Sequence, residues 1–410
     1  MNPMLRNHAE QIARGAIRAV CPDEAVRRAL EHVSLTPNVY LVSVGKAAWQ
    51  MAQAALTYLP HPPIRGIVVT KYHHVTAPLN GVECFEAGHP VPDENSFRAT
   101  RAVLDMTRDL TETDTVLFLL SGGGSALFEH PLVEPEVLQS VTRTMLASGA
   151  DIVEMNTIRK RLSGVKGGRF ALWCAPAKVE AIILSDVLGD PVDMIASGPA
   201  AADPTTAEDA LAIARKYGLD QIPPSLLQQE TPKHLTNVHT QIIGSVRELC
   251  AAAARESEAL GYEPVFLTDR MDWEARDAGI WLAEELLARK KDGKKLALLA
   301  GGETVVHLKG TGLGGRNQEF ALAAAERLAG VSGAAIISVG SDGTDGPTDA
   351  AGGYADGDTL TELHRAGVNY HASLENNDSY HALQAVGNLI ITGPTGTNVN
   401  DIAIGLWNPE

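Results

Sequence analysis

A repeated alternation constrains this chain more than any other feature. Short, unbroken apolar runs are each followed by small or charged residues, and most lead into a stretch of helical periodicity. The runs are VYLVSV (39–44), GIVV (66–69), VLFLL (116–120), VEAIIL (179–184), TQII (240–243), PVFL (264–267), LALLA (296–300), AAIISVG (334–340) and NLIIT (388–392). Helical patterns fall at 93–110, 134–148, 206–217, 245–260, 274–291 and 317–329. A strand that is apolar at successive positions is one covered on both faces. Strand, helix, strand order therefore predicts α/β architecture with largely parallel sheets. The 410 residues exceed what one core holds, roughly 250–300 residues, so two domains are expected. The proline-bearing stretch 219–236 sets the expected division at 1–230 and 231–410, with the last strand and tail allowed to return to the first domain.

Charge and cysteine usage exclude several functions. The net charge is −16, which repels a polyphosphate backbone and argues against nucleic-acid binding. Cys21, Cys84, Cys174 and Cys250 form no C-x-x-C pair, so reduced thiols and a cytoplasmic setting are expected. No apolar run approaches the ~18 residues that span a bilayer, and no membrane partner is expected. Residues 1–20 read as an amphipathic helix with Ile12, Ala16 and Ala19 on one side.

The residues that follow the strands carry the chemical signal, because open α/β sheets bind ligands at strand carboxyl ends. Gly45-Lys46 follows the first run, and a lysine there can reach a phosphate; the pattern is not a Walker A loop, and a lone GK pair is usually a solvated lysine. Ser121-Gly122-Gly123-Gly124-Ser125 follows the third run. Three consecutive glycines let backbone approach a ligand closely, and the two serines add hydroxyl donors, so phosphate binding is expected over a flexible loop or a serine nucleophile. Asp186 ends the fourth run, with Asp190 four residues on. A carboxylate there can hold Mg²⁺ or take a hydroxyl proton, although Gly189-Asp190-Pro191 is also good turn chemistry.

Three further segments stand out. Arg159, Lys160, Arg161, Lys166 and Arg169 lie within MNTIRKRLSGVKGGRFA with no acidic residue between Asn156 and Arg169. They read either as a solvated helix face or as a patch attracting polyphosphate or a carboxylate. Gly310, Gly312 and Gly315 match G-x-G-x-x-G after a strand and before a helix, which makes a dinucleotide-dependent reductase a serious rival. The flanking Lys309 and Arg316, with Glu303 upstream, instead favour an anion clamp. Asp342, Asp345 and Asp349 crowd one loop, as ligands for a metal or hydroxyl or as caps on backbone N–H groups. His73, His74 and His89 fall in no catalytic spacing and read as surface or core residues.

Taken in order, VGKAAWQMA, SGGGSAL, MNTIRKRLSGVKGGRFA, LSDVLGDPVDMIASGP, GGETVVHLKGTGLGGRNQEFALA, SVGSDGTDGPTDAAGG and GPTGTNVND resemble the class II glycerate 2-kinases over nearly the whole chain. The C-terminal region of that family is called MOFRL, and its members have also been described as hydroxypyruvate reductases. The resemblance implies a Rossmann-like N-terminal domain, a smaller α/β C-terminal domain and an active site in the interdomain cleft. It implies ATP-dependent conversion of D-glycerate to 2-phosphoglycerate by a monomer or homodimer, with Mg²⁺. Carried over by motif, Lys46, Asp186 and Arg316 form the catalytic group, with Asp186 also the metal ligand. Ser121, Gly122, Gly123, Gly124 and Ser125 cradle the nucleotide phosphates. Arg159, Lys166 and Asp190 contact substrate. Replacing Lys46 or Arg316 by alanine is expected to cut turnover and leave the fold intact.

Overall fold

The computed structural model describes residues 3–290 and 293–409. The chain divides into two compact units, residues 25–243 and residues 1–24 with 244–410. Each is an α/β unit around its own sheet, as the alternation of runs and helical stretches predicts.

The first sheet contains β1 (Asn38–Val44), β2 (Arg65–Lys71), β3 (Val82–Ala87), β4 (Asp114–Leu120), β5 (Lys178–Leu184) and β6 (Val238–Gly244), in the order β3-β2-β1-β4-β5-β6. The registers from β3 through β5 are all parallel. β4 is buried at every position and β5 at all but its first, as unbroken apolar runs require. β3 (VECFEA) carries glutamates and lies at the sheet edge, which is why no apolar run announces it. Phe118, Phe128 and Phe170 pack together in the core beside β4. A second cluster, including Leu138, Met155, Ile158 and Ala210, joins helices Pro135–Ala147, Ile152–Leu162 and Ala207–Lys216. Asp151 and Thr206 open the last two of these with reciprocal capping boxes, each satisfying two otherwise orphaned N–H groups.

The second sheet is mixed. β7 (Glu263–Met271), β8 (Leu296–Gly302), β9 (Ala334–Gly340), β10 (Gly352–Asp356), β11 (Leu389–Ile390) and β12 (Asp401–Trp407) run in the order β11-β10-β9-β12-β8-β7. Only β7 and β8 pair in parallel; β12 is inserted antiparallel between β8 and β9. The largely parallel expectation therefore holds for the first sheet and is corrected for the second. β10 and β12 follow loop-like sequence, and their pairing is set by distant strands. The N-terminal helix Pro3–Ala19 buries Leu5, Ala9, Ile12 and Ala16 within this unit. Arg6 donates to Gly387 O at 2.6 Å, and Thr397 Oγ1 donates to Val20 O at 3.0 Å. Among the described residues, no helix is long and apolar enough to cross a membrane.

Candidate active site

In the first unit the strand order reverses direction between β1 and β4. That is the point where a doubly wound sheet opens a crevice at its carboxyl edge. The ends of β1 and β4 there carry Gly45-Lys46 and the Ser121–Ser125 loop. The two turns are bonded to each other. Lys46 N donates to Gly122 O at 2.8 Å, Ser121 N to Val44 O at 2.9 Å, and Ala47 N to Ser121 Oγ at 3.1 Å. Gly45, at φ +124°, passes so close to Ser121 that a Cβ would lie 2.2 Å from its Oγ. Among the described residues, the N–H groups of Gly122 and Gly123 have no acceptor. Those of Gly124 and Ser125 open a helical turn, where N–H groups lack an intrahelical partner. This run of donors suits anionic oxygens.

Asp186, after β5, lies against the same loop. A Cβ on Gly122 would be 2.0 Å from its Oδ2, so the glycine makes room for the carboxylate. Lys46 is half-buried; its backbone is held by Gly122 while its Cγ sits 3.2 Å from where a Gly123 Cβ would be. Ser125 Oγ bonds Ser197 Oγ at 3.1 Å, and Ser197 Oγ donates to Asn156 Oδ1 at 2.8 Å. Ala196 and Ser197 both hold positive φ, +51° and +60°, a strained pair, and Ala196 packs against Gly124.

Two histidines that sequence spacing left as surface or core residues belong to this edge. His89 Nε2 lies 3.1 Å from the position of a Gly123 Cβ, and His74 Nδ1 is 3.0 Å from Lys46 O. Burial, then the charges of Lys46 and Lys71, push His89 below the ordinary imidazole range and favour its neutral form. Only the parallel order of β2 and β3 beside β1 brings these histidines here, and no local sequence signal marks them.

Neither reading of the basic segment, solvated face or surface patch, holds for three of its five cations. Lys160, Arg161 and Lys166 are wholly buried. Lys160 Nζ donates to Asp193 and Asp203, each at 3.0 Å. Arg161 bonds Thr231 Oγ1 at 2.7 Å and Thr205 O at 3.0 Å, beside Asp203. Lys166 Nζ donates to Phe128 O and pairs with Glu129, both at 2.8 Å. Arg159 differs: it is half-buried and lines a pocket of about 230 Å³ together with Ser125 and Glu129. Asp190, at φ +54°, has a buried Oδ1 with no hydrogen-bond partner among the described residues.

In the second unit Arg316 begins the helix Arg316–Leu328 and grips Asp401, the first residue of β12. Its Nε and Nη2 meet the two carboxylate oxygens at 2.5 and 3.0 Å, and Nη1 reaches Glu303 at 3.1 Å. Burial opposes the guanidinium charge, but Asp401 and then Glu303 outweigh it and hold Arg316 firmly protonated. The side chain remains one-third exposed, at 34%. Asp345 caps the helix, accepting from Asn317 N at 3.1 Å and Gln318 N at 2.9 Å. Burial, helped by the nearby Asp401 charge, raises Asp345 to about 7.

The G-x-G-x-x-G loop has a structural occupation. Lys309 N and Gly310 N donate to Asn377 Oδ1, Thr311 N to Asn376 Oδ1, Gly312 N to Asn376 O and Leu313 N to Asp378 Oδ1. Gly310 and Gly312 fit the loop against Asn376–Asp378, Gly315 makes room for Asp345, and these N–H groups are spent within the protein.

Together these features define an α/β protein with an anion-suited glycine loop, a lysine and a carboxylate at a strand switch point, carrying a second unit with a clamped arginine. Residues 8–229 match a family described as a domain of unknown function (DUF4147), and residues 296–401 match the MOFRL family. The chain is 52% identical to the D-glycerate 2-kinase of Thermotoga maritima, over 98% of each chain. It is 39% identical to the glycerate 2-kinase of Pyrococcus horikoshii, over 95% of this chain and 94% of the other. The crystal structure of the Thermotoga maritima glycerate kinase superposes with a TM-score of 0.95 at 52% identity, covering 99% of this chain and 100% of that one. The chain belongs to the glycerate 2-kinase family with a C-terminal MOFRL region.

Proposed function

We propose that this protein transfers the γ-phosphoryl group of ATP to the 2-hydroxyl of D-glycerate, giving 2-phosphoglycerate and ADP. The observation that carries the reading is the Ser121–Ser125 loop at the switch point, with Lys46 and Asp186 against its glycines, in a chain half identical to a D-glycerate 2-kinase. Phosphoryl transfer needs positioning and charge stabilisation more than covalent chemistry. In this reading Ser121 to Ser125 hold nucleotide phosphates. Lys46 stabilises charge on the transferring group, Asp186 orients the attacking hydroxyl, and Arg316 is the third catalytic residue that the family resemblance implies. Arg159, on the lining beside Ser125, is the cation for the anionic oxygens of a bound substrate. Lys166, committed to Phe128 O and Glu129, acts on substrate only through Glu129.

Mg²⁺ fits the donors present. It commonly takes one or two carboxylates, with substrate phosphates and water completing its octahedron. Asp186 supplies a carboxylate beside the loop, and the unpartnered Oδ1 of Asp190 is a second candidate. Bound there, the ion would neutralise phosphate charge during transfer. The reductase alternative loses its main support, because the N–H groups of Gly310, Thr311, Gly312 and Leu313 in the G-x-G-x-x-G loop are already satisfied.

The test mixes purified protein, D-glycerate, ATP and Mg²⁺, follows ADP release and adds enolase alone. Immediate enolase turnover supports 2-phosphoglycerate, and ADP without it points to another phosphorylated product. No ADP, with NAD(P)H oxidised on hydroxypyruvate, refutes the kinase reading. Lys46→Ala and Arg316→Lys are each expected to lower kcat by roughly 10²-fold or more. Arg316→Ala is the poorer variant, because it strands the buried Asp401 and so endangers the fold that sequence reasoning expected it to spare.

A further inference from the structure

The pocket of about 230 Å³ beside Ser125 has walls that a three-carbon acid does not explain. Pro90, Val91, Pro92, Ala126, Leu138 and Leu146 make it predominantly apolar. Val91 and Leu146 are 57% and 62% exposed there, large apolar side chains left in water. Every carbon of glycerate carries oxygen, so it offers such walls nothing to cover. A flat heteroaromatic base covers them well, and apolar walls with a few placed polar groups are the usual make-up of small-molecule sites.

Gln139, Thr142, Arg143 and Arg159 complete the lining, and Glu129 adds a buried carboxylate. Glu129 is 2% exposed, and Lys166 Nζ holds one carboxylate oxygen at 2.8 Å. The other oxygen, Oε1, is buried with no hydrogen-bond partner among the described residues. A buried acceptor left unmatched is costly, and an N–H or O–H donor from a ligand removes that cost. Ser125, the last residue of the glycine-rich loop, lies on the same lining. A ligand with its phosphates on the loop therefore has its remainder beside this pocket.

We propose that the pocket is the nucleoside subsite of the phosphoryl donor. The base lies between Leu138, Leu146 and the Pro90–Pro92 segment, and Glu129 Oε1 accepts a hydrogen bond from the nucleoside. ATP offers two sources for that donor, the exocyclic amino group of adenine and the ribose hydroxyls. The inference rests on the kinase reading and extends it to the part of the nucleotide that does not react.

Calorimetric binding of ATP and of inorganic tripolyphosphate, without acid substrate, tests the subsite apart from turnover. The wild-type protein should bind ATP roughly 10²-fold more tightly than tripolyphosphate, because apolar burial and one buried hydrogen bond add to the phosphate contacts. Leu146→Asp, on an exposed position that leaves the core untouched, should cut the ATP preference about tenfold and leave tripolyphosphate binding unchanged. In steady state the same variant should raise KM for ATP and spare KM for D-glycerate. Equal ATP affinity in wild type and Leu146→Asp, with ADP release intact, overturns the subsite while the kinase reading stands. Absence of both ATP binding and ADP release in the wild type overturns both. ITP and 2′-deoxy-ATP separate the donor sources: the analogue lacking the group that Glu129 uses should bind at least about tenfold more weakly, and Glu129→Gln should shrink that gap. Equal affinity of the wild type for all three nucleotides removes Glu129 from the subsite.

Discussion

Gly122→Ala tests the geometry of the proposed site with a single methyl group. A Cβ at that position would stand 2.0 Å from Asp186 Oδ2 and 2.6 Å from its Cγ. Real Cβ atoms do not approach closer than 3.0 Å, so the carboxylate must withdraw by at least about 1 Å. Displacement of a reacting group by that much costs on the order of 10²-fold in rate. The fold should tolerate the change. The group that yields is the end of a half-buried side chain, and Gly122 is absent from the positive-φ positions. Stability should shift by less than about 1 kcal/mol, because alanine at a compatible site also restricts the unfolded chain. The assay pairs ADP release with thermal unfolding. Gly45→Ala is the contrasting variant: φ is +124°, and its Cβ would meet the Ser121 backbone oxygen at 2.5 Å, so stability should fall along with activity. Wild-type kcat in Gly122→Ala, at unchanged melting temperature, would refute the placement of Asp186 at the reacting atoms.

Two further predictions concern the buried charges. Asp203→Ala should destabilise the protein by roughly 3–5 kcal/mol in denaturant unfolding, since it leaves Lys160 and Arg161 buried without their shared carboxylate; a loss under about 1 kcal/mol would show that Asp193, Thr231 and Glu230 suffice. Asp345 has its carboxyl raised from 3.8 to about 7 in the folded state. The unfolded chain releases that proton first, so this contribution to stability is complete below about pH 4 and is lost as the pH rises through 7. Asp345→Asn should therefore flatten the decline in unfolding free energy between pH 4 and pH 7, and an unchanged slope would assign the decline to other groups.

Legibility followed the range of the interactions. The α/β class was written locally, because a strand buried on both faces must be apolar throughout and a half-buried helix must be periodic. β1, β4, β5, β8 and β9 are therefore plain in the sequence, and so are the glycines, lysine and carboxylates that follow them. The edge strand β3, the glycine-led β10 and the inserted β12 are not, since their places depend on partners far along the chain.

The same limit explains the basic segment. No acid stands among its five cations from Asn156 to Arg169, and only the fold brings Asp203, 43 residues beyond Lys160, and Glu129, 37 before Lys166, to meet Lys160, Arg161 and Lys166. The G-x-G-x-x-G loop shows the converse. Its glycines are legible, but their occupation is decided by Asn376–Asp378, some 65 residues on. The sequence by itself determined which residue types stand at the strand ends and hence the kind of chemistry available. The tertiary structure decided which ends are neighbours, that His89 joins them, and that Glu129 keeps one oxygen unpaired. Those are properties of distances between remote segments, which only the folded chain sets.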